Sequence, residues 1–173
     1  MNGLVFGYGS LVNTATHDMG GEPATLRGWR RVWRPTPFRD AAFLSAEPHA
    51  QSTIMGLKAV VPEASWPALD QREHHYLRLD ISDQIGAGAV IYSVPEENRT
   101  EGLKPIWLSY LDVVLQGFLH QFGSDGPRHF MDTTDGWENG IVDDRADPRY
   151  PRAQHLTADE TRMIDAVIAP YRR

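Results

Sequence analysis

Leu4-Val5-Phe6-Gly7-Tyr8-Gly9-Ser10-Leu11 joins a short apolar run to a turn with glycine at two of three positions. The run reads as a buried first strand over residues 4–8. The two glycines let the backbone turn sharply and present successive N–H groups to an anion, either a substrate carboxylate or a developing oxyanion. No Lys-Ser/Thr follows at the spacing of a phosphate-binding loop, and Ser10 is not the middle of a G-x-S-x-G elbow. Local physics supports a plain tight turn equally well.

Outward from this stretch, the first part of the chain reads as short strands separated by turn residues, over 24–33, 41–45 and 53–61, the last closed by Pro62. The period then changes. Residues 63–73 predict a helix with Trp66 and Leu69 on one face, Pro67 being tolerated in its first turn. Strands follow at 76–81 and 89–94. Trp107, Leu111, Val114, Leu115, Phe118 and Phe122 form one wide apolar face, predicting a long helix over 106–122. Thr157-Ala158-Asp159-Glu160 is a capping box opening a last helix, with Met163, Ile164, Val167 and Ile168 inward and Pro170 at its end. Segments 82–88 and 124–137 read as loops. The pattern indicates an α+β fold, a small barrel-like mixed sheet with surrounding helices, in one domain over 1–173.

The 173 residues are 41% apolar and 23% charged, an ordinary globular mixture. There is no cysteine, which removes disulfides, thiolate metal sites and a cysteine nucleophile together and suits the cytoplasm. The N-terminus lacks the pattern of a signal peptide, and no apolar stretch approaches the roughly 20 residues of a membrane span. Seventeen Lys and Arg against 23 Asp and Glu give a charge of −6, unfavourable for broad phosphate-backbone binding. One stretch runs the other way. Arg27, Arg30, Arg31 and Arg34 interleave with Trp29 and Trp33, the ingredients of a single-strand stacking platform. On a strand, at most one of Arg30 and Arg31 points inward.

The second segment that bears on chemistry is Asp70-Gln71-Arg72-Glu73-His74-His75-Tyr76-Leu77-Arg78, at a predicted helix-to-strand junction. Glu73 is an acid/base candidate. The adjacent His74 and His75 diverge on any regular element and lack H-E-x-x-H spacing, so no metal is expected.

Taken together, Phe6-Gly7-Tyr8-Gly9-Ser10-Leu11 and the later Asp70-x-x-Glu73-x-x-Tyr76-x-Arg78 resemble the γ-glutamylcyclotransferase superfamily, especially its bacterial ChaC-like and AIG2-like branches. Arg27-Gly28-Trp29-Arg30-Arg31 resembles the basic strand after the glycine turn. Tyr110-Leu111 through Gly117-Phe118 to His120 is similar to the long helix, and the Val142-to-Ala153 tail is similar to that of bacterial members. The resemblance departs at His74, where many relatives carry Gly. It departs again at Thr100-Glu101-Gly102-Leu103, where the glutathione-specific branch has Tyr-Leu-Gly. Substrate identity therefore stays open among γ-glutamyl amino acids or peptides such as glutathione, and γ-glutamylamines.

The resemblance implies an enzyme releasing 5-oxoproline, of lyase or acyltransferase type, with no cofactor and a small γ-glutamyl molecule as partner. The α-amine attacks the γ-carbonyl of its own molecule, so proximity supplies much of the rate. Glu73 would move the protons. Tyr8, Gly9, Ser10 and Leu11 would bind substrate, with Tyr110 reaching in from the long helix or serving as a core tyrosine. The alternative is a non-catalytic ligand-binding or interaction domain on the same fold.

Overall fold

The computed structural model describes residues 2–172; Met1 and Arg173, the two ends of the expected domain, lie outside them. The strands are β1 (Gly3–Gly7), β2 (Glu22–Arg34), β3 (Phe43–Val61), β4 (Leu77–Asp80), β5 (Ala89–Ser93), β6 (Ile106–Trp107), β7 (Thr134–Asp135) and β8 (Ile141–Val142). The α-helices are α1 (Trp66–Arg72), α2 (Ser82–Ile85), α3 (Leu108–Phe122), α4 (Asp125–Asp132) and α5 (Ala158–Ile168). The α+β class is as expected. Six strands form one mixed sheet in the order β4-β5-β1-β3-β2-β7, and β6 pairs with β8 apart from it.

The apolar run before the glycine turn lies inside this sheet. β1 pairs antiparallel with β3, from Gly3 opposite Val61 to Gly7 opposite Leu57, and parallel with β5 on its other side. A strand with neighbours on both edges and cover on both faces reads as a continuous apolar run, and Val5 and Phe6 are each 1% exposed.

The strands expected at 41–45 and 53–61 are one strand, β3, running through both. The intervening Glu47-Pro48-His49-Ala50-Gln51-Ser52 is polar and largely exposed, which is why it reads as a loop. Only Glu47 and Pro48 of it pair with β2, and the pairing skips from Arg27–Thr53 to Trp29–Pro48 around Gly28, whose φ is +80°. Such a bulge bends the ribbon and increases its twist. The bend returns the start of β3 to the end of β5. There Ser93 Oγ donates to Ala46 C=O at 2.8 Å and Val94 N–H donates to Ser45 Oγ at 3.0 Å. Side chains, rather than a ladder, draw the sheet together on that side.

The expected helix at 63–73 divides into a 3-10 turn, Glu63–Ser65, and α1, with Pro67 in the first turn. The helix expected from 106 starts at Leu108, because Ile106 and Trp107 pair with β8. The segments expected as loops contain α2 and, at 124–137, both α4 and β7. Gly126 and Pro127 hide α4 from propensity, yet both stand in its first turn, where a missing N–H costs little. Gly126 is needed there, because a Cβ would strike Phe118 C=O of α3.

α3 is the central helix, with Leu108, Leu111, Val114, Leu115 and Phe118 all inaccessible to solvent. Each such side chain contributes about 1.5–3 kcal/mol through burial. Its first turn is capped from a distance. Asp144 accepts from Ser109 N–H at 2.7 Å and from Ser109 Oγ at 2.6 Å, and a carboxylate there also suits the helix dipole. The capping box of α5 forms in both directions, while Ile164 and Ile168 complete the core. Among the described residues no helix is long and apolar enough to cross a membrane.

Candidate active site

Glu73 is the residue at which α1 ends. Its N–H still donates to Leu69 C=O at 3.0 Å, but its φ and ψ of −105° and 27° turn the chain out of the helix. The side chain is only 16% exposed, and its Oε1 lies 3.4 Å from Arg72 Nε. Burial raises the Glu73 carboxyl above its ordinary range, and the charges of Arg72, Arg152 and His74 offset part of that rise.

Arg72 connects this carboxylate to the glycine turn. Its guanidinium donates to Ser10 Oγ at 3.2 Å, Thr16 Oγ1 at 3.1 Å and Thr16 C=O at 2.9 Å. Two segments distant in sequence are thus held in one geometry by one planar fork. Arg72 stands inside the quoted motif, yet a lone arginine beside a glutamate carries no sequence signal of what it holds.

The turn itself is built from the inside. Tyr8 is 7% exposed and donates its hydroxyl to Tyr92 C=O at 2.6 Å. Its own C=O accepts from Arg31 Nε at 2.7 Å. Of the adjacent arginines, Arg31 points inward and Arg30 outward, where it pairs with Asp135. The Arg31 guanidinium is wholly buried between the rings of Phe118 and Phe130, at 4.9 and 4.8 Å, and also donates to Thr133 Oγ1 and Met55 C=O. Burial lowers its pKa to about 9. It therefore braces the turn from behind. Trp29 and Trp33 are 6% and 2% exposed, so the stacking platform considered from sequence lies in the core.

Beyond Gly9 the chain enters a 3-10 turn, Ser10–Val12, with Val12 N–H donating to Gly9 C=O at 3.0 Å. The Leu11 side chain packs with Val5 and Leu69, and Leu11 also lines the smaller cavity beside Glu73. Gly9 is required by close approach: a Cβ there would sit 2.8 Å from Tyr110 Oη and 2.9 Å from Leu44 Cδ2. Tyr110 projects from α3 with its hydroxyl against Ser10, and its ring meets Tyr150 edge-on at 4.9 Å. Burial pushes the Tyr110 hydroxyl well up, keeping it protonated.

Glu73 borders two adjoining cavities that share Ser10, Leu44, Tyr76 and Tyr110 in their walls. The smaller, about 330 Å³ including its opening to solvent, is walled by residues 6–11. The larger, about 690 Å³ including its opening to solvent, carries Arg39, His74, His75, Trp107, Tyr150 and Arg152. Glu73, Tyr8, Gly9, Ser10, Leu11 and Tyr110 are thus brought together at one place. Asp70 and Arg78 are not; they pair with each other at the surface, and Asp70 also accepts from Tyr92 Oη at 2.7 Å.

Sequence reasoning gave no role to Tyr76, whose hydroxyl donates to Leu44 C=O at 2.9 Å, nor to Arg39 and Arg152. The rings of His74 and His75 lie 3.7 Å apart at a tilt of 46°, with Phe38 stacked on His75 at 3.9 Å. Among the described residues, no group of three His, Asp or Glu side chains is placed to hold a metal ion.

No family model and no curated protein matches the sequence. Solved structures do match. A protein described as gamma-glutamyl cyclotransferase superposes with a TM-score of 0.61 at 9% identity, covering 96% of this chain and 99% of its own. The human uncharacterized protein loc79017 gives 0.57 at 10%, covering 95% and 98%. YkqA from Bacillus subtilis gives 0.55 at 16%, covering 78% of this chain and 56% of YkqA. The chain has the fold of these proteins.

Proposed function

We propose that this chain is a γ-glutamyl cyclotransferase, releasing 5-oxoproline from a γ-glutamyl compound with Glu73 as its acid/base. The observation that carries the reading is the place of Glu73: an enclosed carboxylate between two cavities, tied by Arg72 to a glycine turn. The likeness to a fold described as gamma-glutamyl cyclotransferase supports it.

The γ-glutamyl half occupies the smaller cavity. The first amides of a short helical turn have no acceptor within it, and those of residues 9–11 hold the α-carboxylate or the γ-carbonyl oxygen. Preorganised donors of this kind are worth ~2.7–4 kcal/mol each in acyl transfer. Glu73 takes a proton from the α-ammonium, and the freed amine adds to the γ-carbonyl carbon. The ring nitrogen gives up its second proton as the bond from that carbon to the departing nitrogen breaks. Both protons pass through Glu73 to that nitrogen, so the amine leaves as an ammonium. The lactam is 5-oxoproline. A carboxyl raised by burial suits both transfers better than an ordinary one, since general acids and bases work best with pKa values near the working pH.

Chromatographic detection of 5-oxoproline tests the reading, with purified protein and a panel of γ-glutamyl amino acids, glutathione and γ-glutamylamines. Time- and enzyme-dependent product from any member supports it. No product across the panel from folded protein would remove it.

A further inference from the structure

The larger cavity carries a charge pattern that the cyclisation itself does not require. Arg72 is occupied by Glu73, Ser10 and Thr16. Arg39 and Arg152 are not comparably engaged: among the described residues, neither guanidinium enters an ion pair or donates a side-chain hydrogen bond. Both line the cavity that also contains Glu73, with His74 and His75 beside them. Glu73 is the sole carboxylate in that wall. A protein with a charge of −6 thus places at one opening two cations that form no ion pair, with Glu73 alone, whose charge Arg152 feels, on the same wall.

Both are held by their backbones and neighbours. Arg39 lies over the rings of Phe43 and Trp107 at 5.1 and 5.4 Å. Its loop is clamped by Lys104, whose Nζ donates to Thr36 C=O at 2.6 Å and Arg39 C=O at 2.7 Å. Arg152 follows Tyr150, which is 7% exposed and whose N–H donates to Ser109 Oγ at 3.2 Å. The turn closes with Ala153 N–H donating to Tyr150 C=O at 3.1 Å. Loops anchored in this way present their guanidinium groups at small entropic cost on binding.

Resting on the cyclotransferase reading, we infer that Arg39 and Arg152 select a leaving group bearing a carboxylate, an α-amino acid or short peptide, over an alkylamine. The γ-glutamyl half fills the cavity at the glycine turn, so the departing half lies on the far side of Glu73. A guanidinium matches a carboxylate in planar, two-point geometry. A cationic alkylamine tail meets like charge there instead, and a neutral one leaves both guanidinium groups without a partner.

The test compares γ-glutamyl-alanine with γ-glutamyl-alaninamide, which differ only in the terminal carboxylate, and with γ-glutamyl-ethylamine. The readout is kcat/KM for 5-oxoproline release by the full chain. The parent is expected to favour the carboxylate by ~10-fold or more, mainly through KM, the size of a charge-assisted hydrogen bond at a partly open site. Arg39→Ala and Arg152→Ala bring the ratio toward one, and Arg152→Glu lowers it further. Circular dichroism verifies that each variant is folded. Equal turnover of acid and amide by the parent, or a ratio unmoved in all three variants, would overturn this inference while leaving the cyclotransferase reading intact. Silence on all three substrates would overturn this inference, and silence that extends to glutathione and the other γ-glutamyl amino acids would overturn the cyclotransferase reading as well.

Discussion

At Glu73, one physical fact makes two predictions of opposite sign. Burial raises its carboxyl above the ordinary range, so the base form is populated only at higher pH. Activity therefore rises as pH increases through that raised value. A kcat/KM profile whose acidic limb lies above ~4.3, the ordinary Glu value, is the expected result. Stability moves the other way. A raised folded-state pKa means the native protein binds more protons than the unfolded chain between the two values, so stability falls with rising pH across that window. Glu73→Gln removes the buried charge, and its thermal midpoint should exceed the parent's at pH 7 by more than at pH 4. A variant less stable than the parent at pH 7 would mean that the Arg72 contact outweighs the burial cost. Glu73 and the glycine turn were legible from sequence because each lies in a short contiguous motif. Arg39 and Arg152 were not, since a cation's meaning lies in which carboxylates are absent around it, and only the folded chain shows that.

At the level of elements, the glycine turn is positioned as much by α3 as by its own strand. Asn13 Nδ2 donates to Val113 C=O and to Gln116 Oε1, both at 2.9 Å. Gly117 lies directly beneath; a Cβ there would come within 2.6 Å of Asn13 N and 2.8 Å of its Cα and Cβ. The obstacle is backbone, which cannot swing aside as a side chain can. Gly117→Ala should therefore cost ~1–3 kcal/mol, the range for overpacking, despite alanine's better helix propensity. Urea unfolding checks this; a stabilised variant would contradict the close contact. The long helix was readable because its apolar face repeats over fifteen residues. α4 was not, because Gly126 and Pro127 argue against a helix that packing against α3 nonetheless selects. β3 was divided because its exposed polar middle, residues 49–52, drops out of the register with β2, so alternation gives no sign of continuity.

Across the whole molecule, β1 packs against β3 while α5 packs against α3 and α4. One apolar cluster runs from Phe6 through Leu115 and Phe118 to Ile164 and Ile168. A core contributed by the first strand and the last helix alike predicts one cooperative unit. Far-ultraviolet dichroism and tryptophan fluorescence should report a single coincident thermal transition; two separated transitions would contradict it. The α+β class was legible from the change of hydrophobic period after Val61. The side-chain closure through Ser45 and Ser93 was not, because two serines among strand residues bear no mark of a partner.

The central claim is that Glu73 moves the protons of a cyclisation. Its most direct test is the steady-state rate of 5-oxoproline release from the preferred γ-glutamyl substrate by the parent and by Glu73→Gln, both verified as folded by circular dichroism. The account predicts a loss of at least ~100-fold in kcat, the contribution expected of a general acid/base. A folded Glu73→Gln protein that keeps the parent's rate would contradict it.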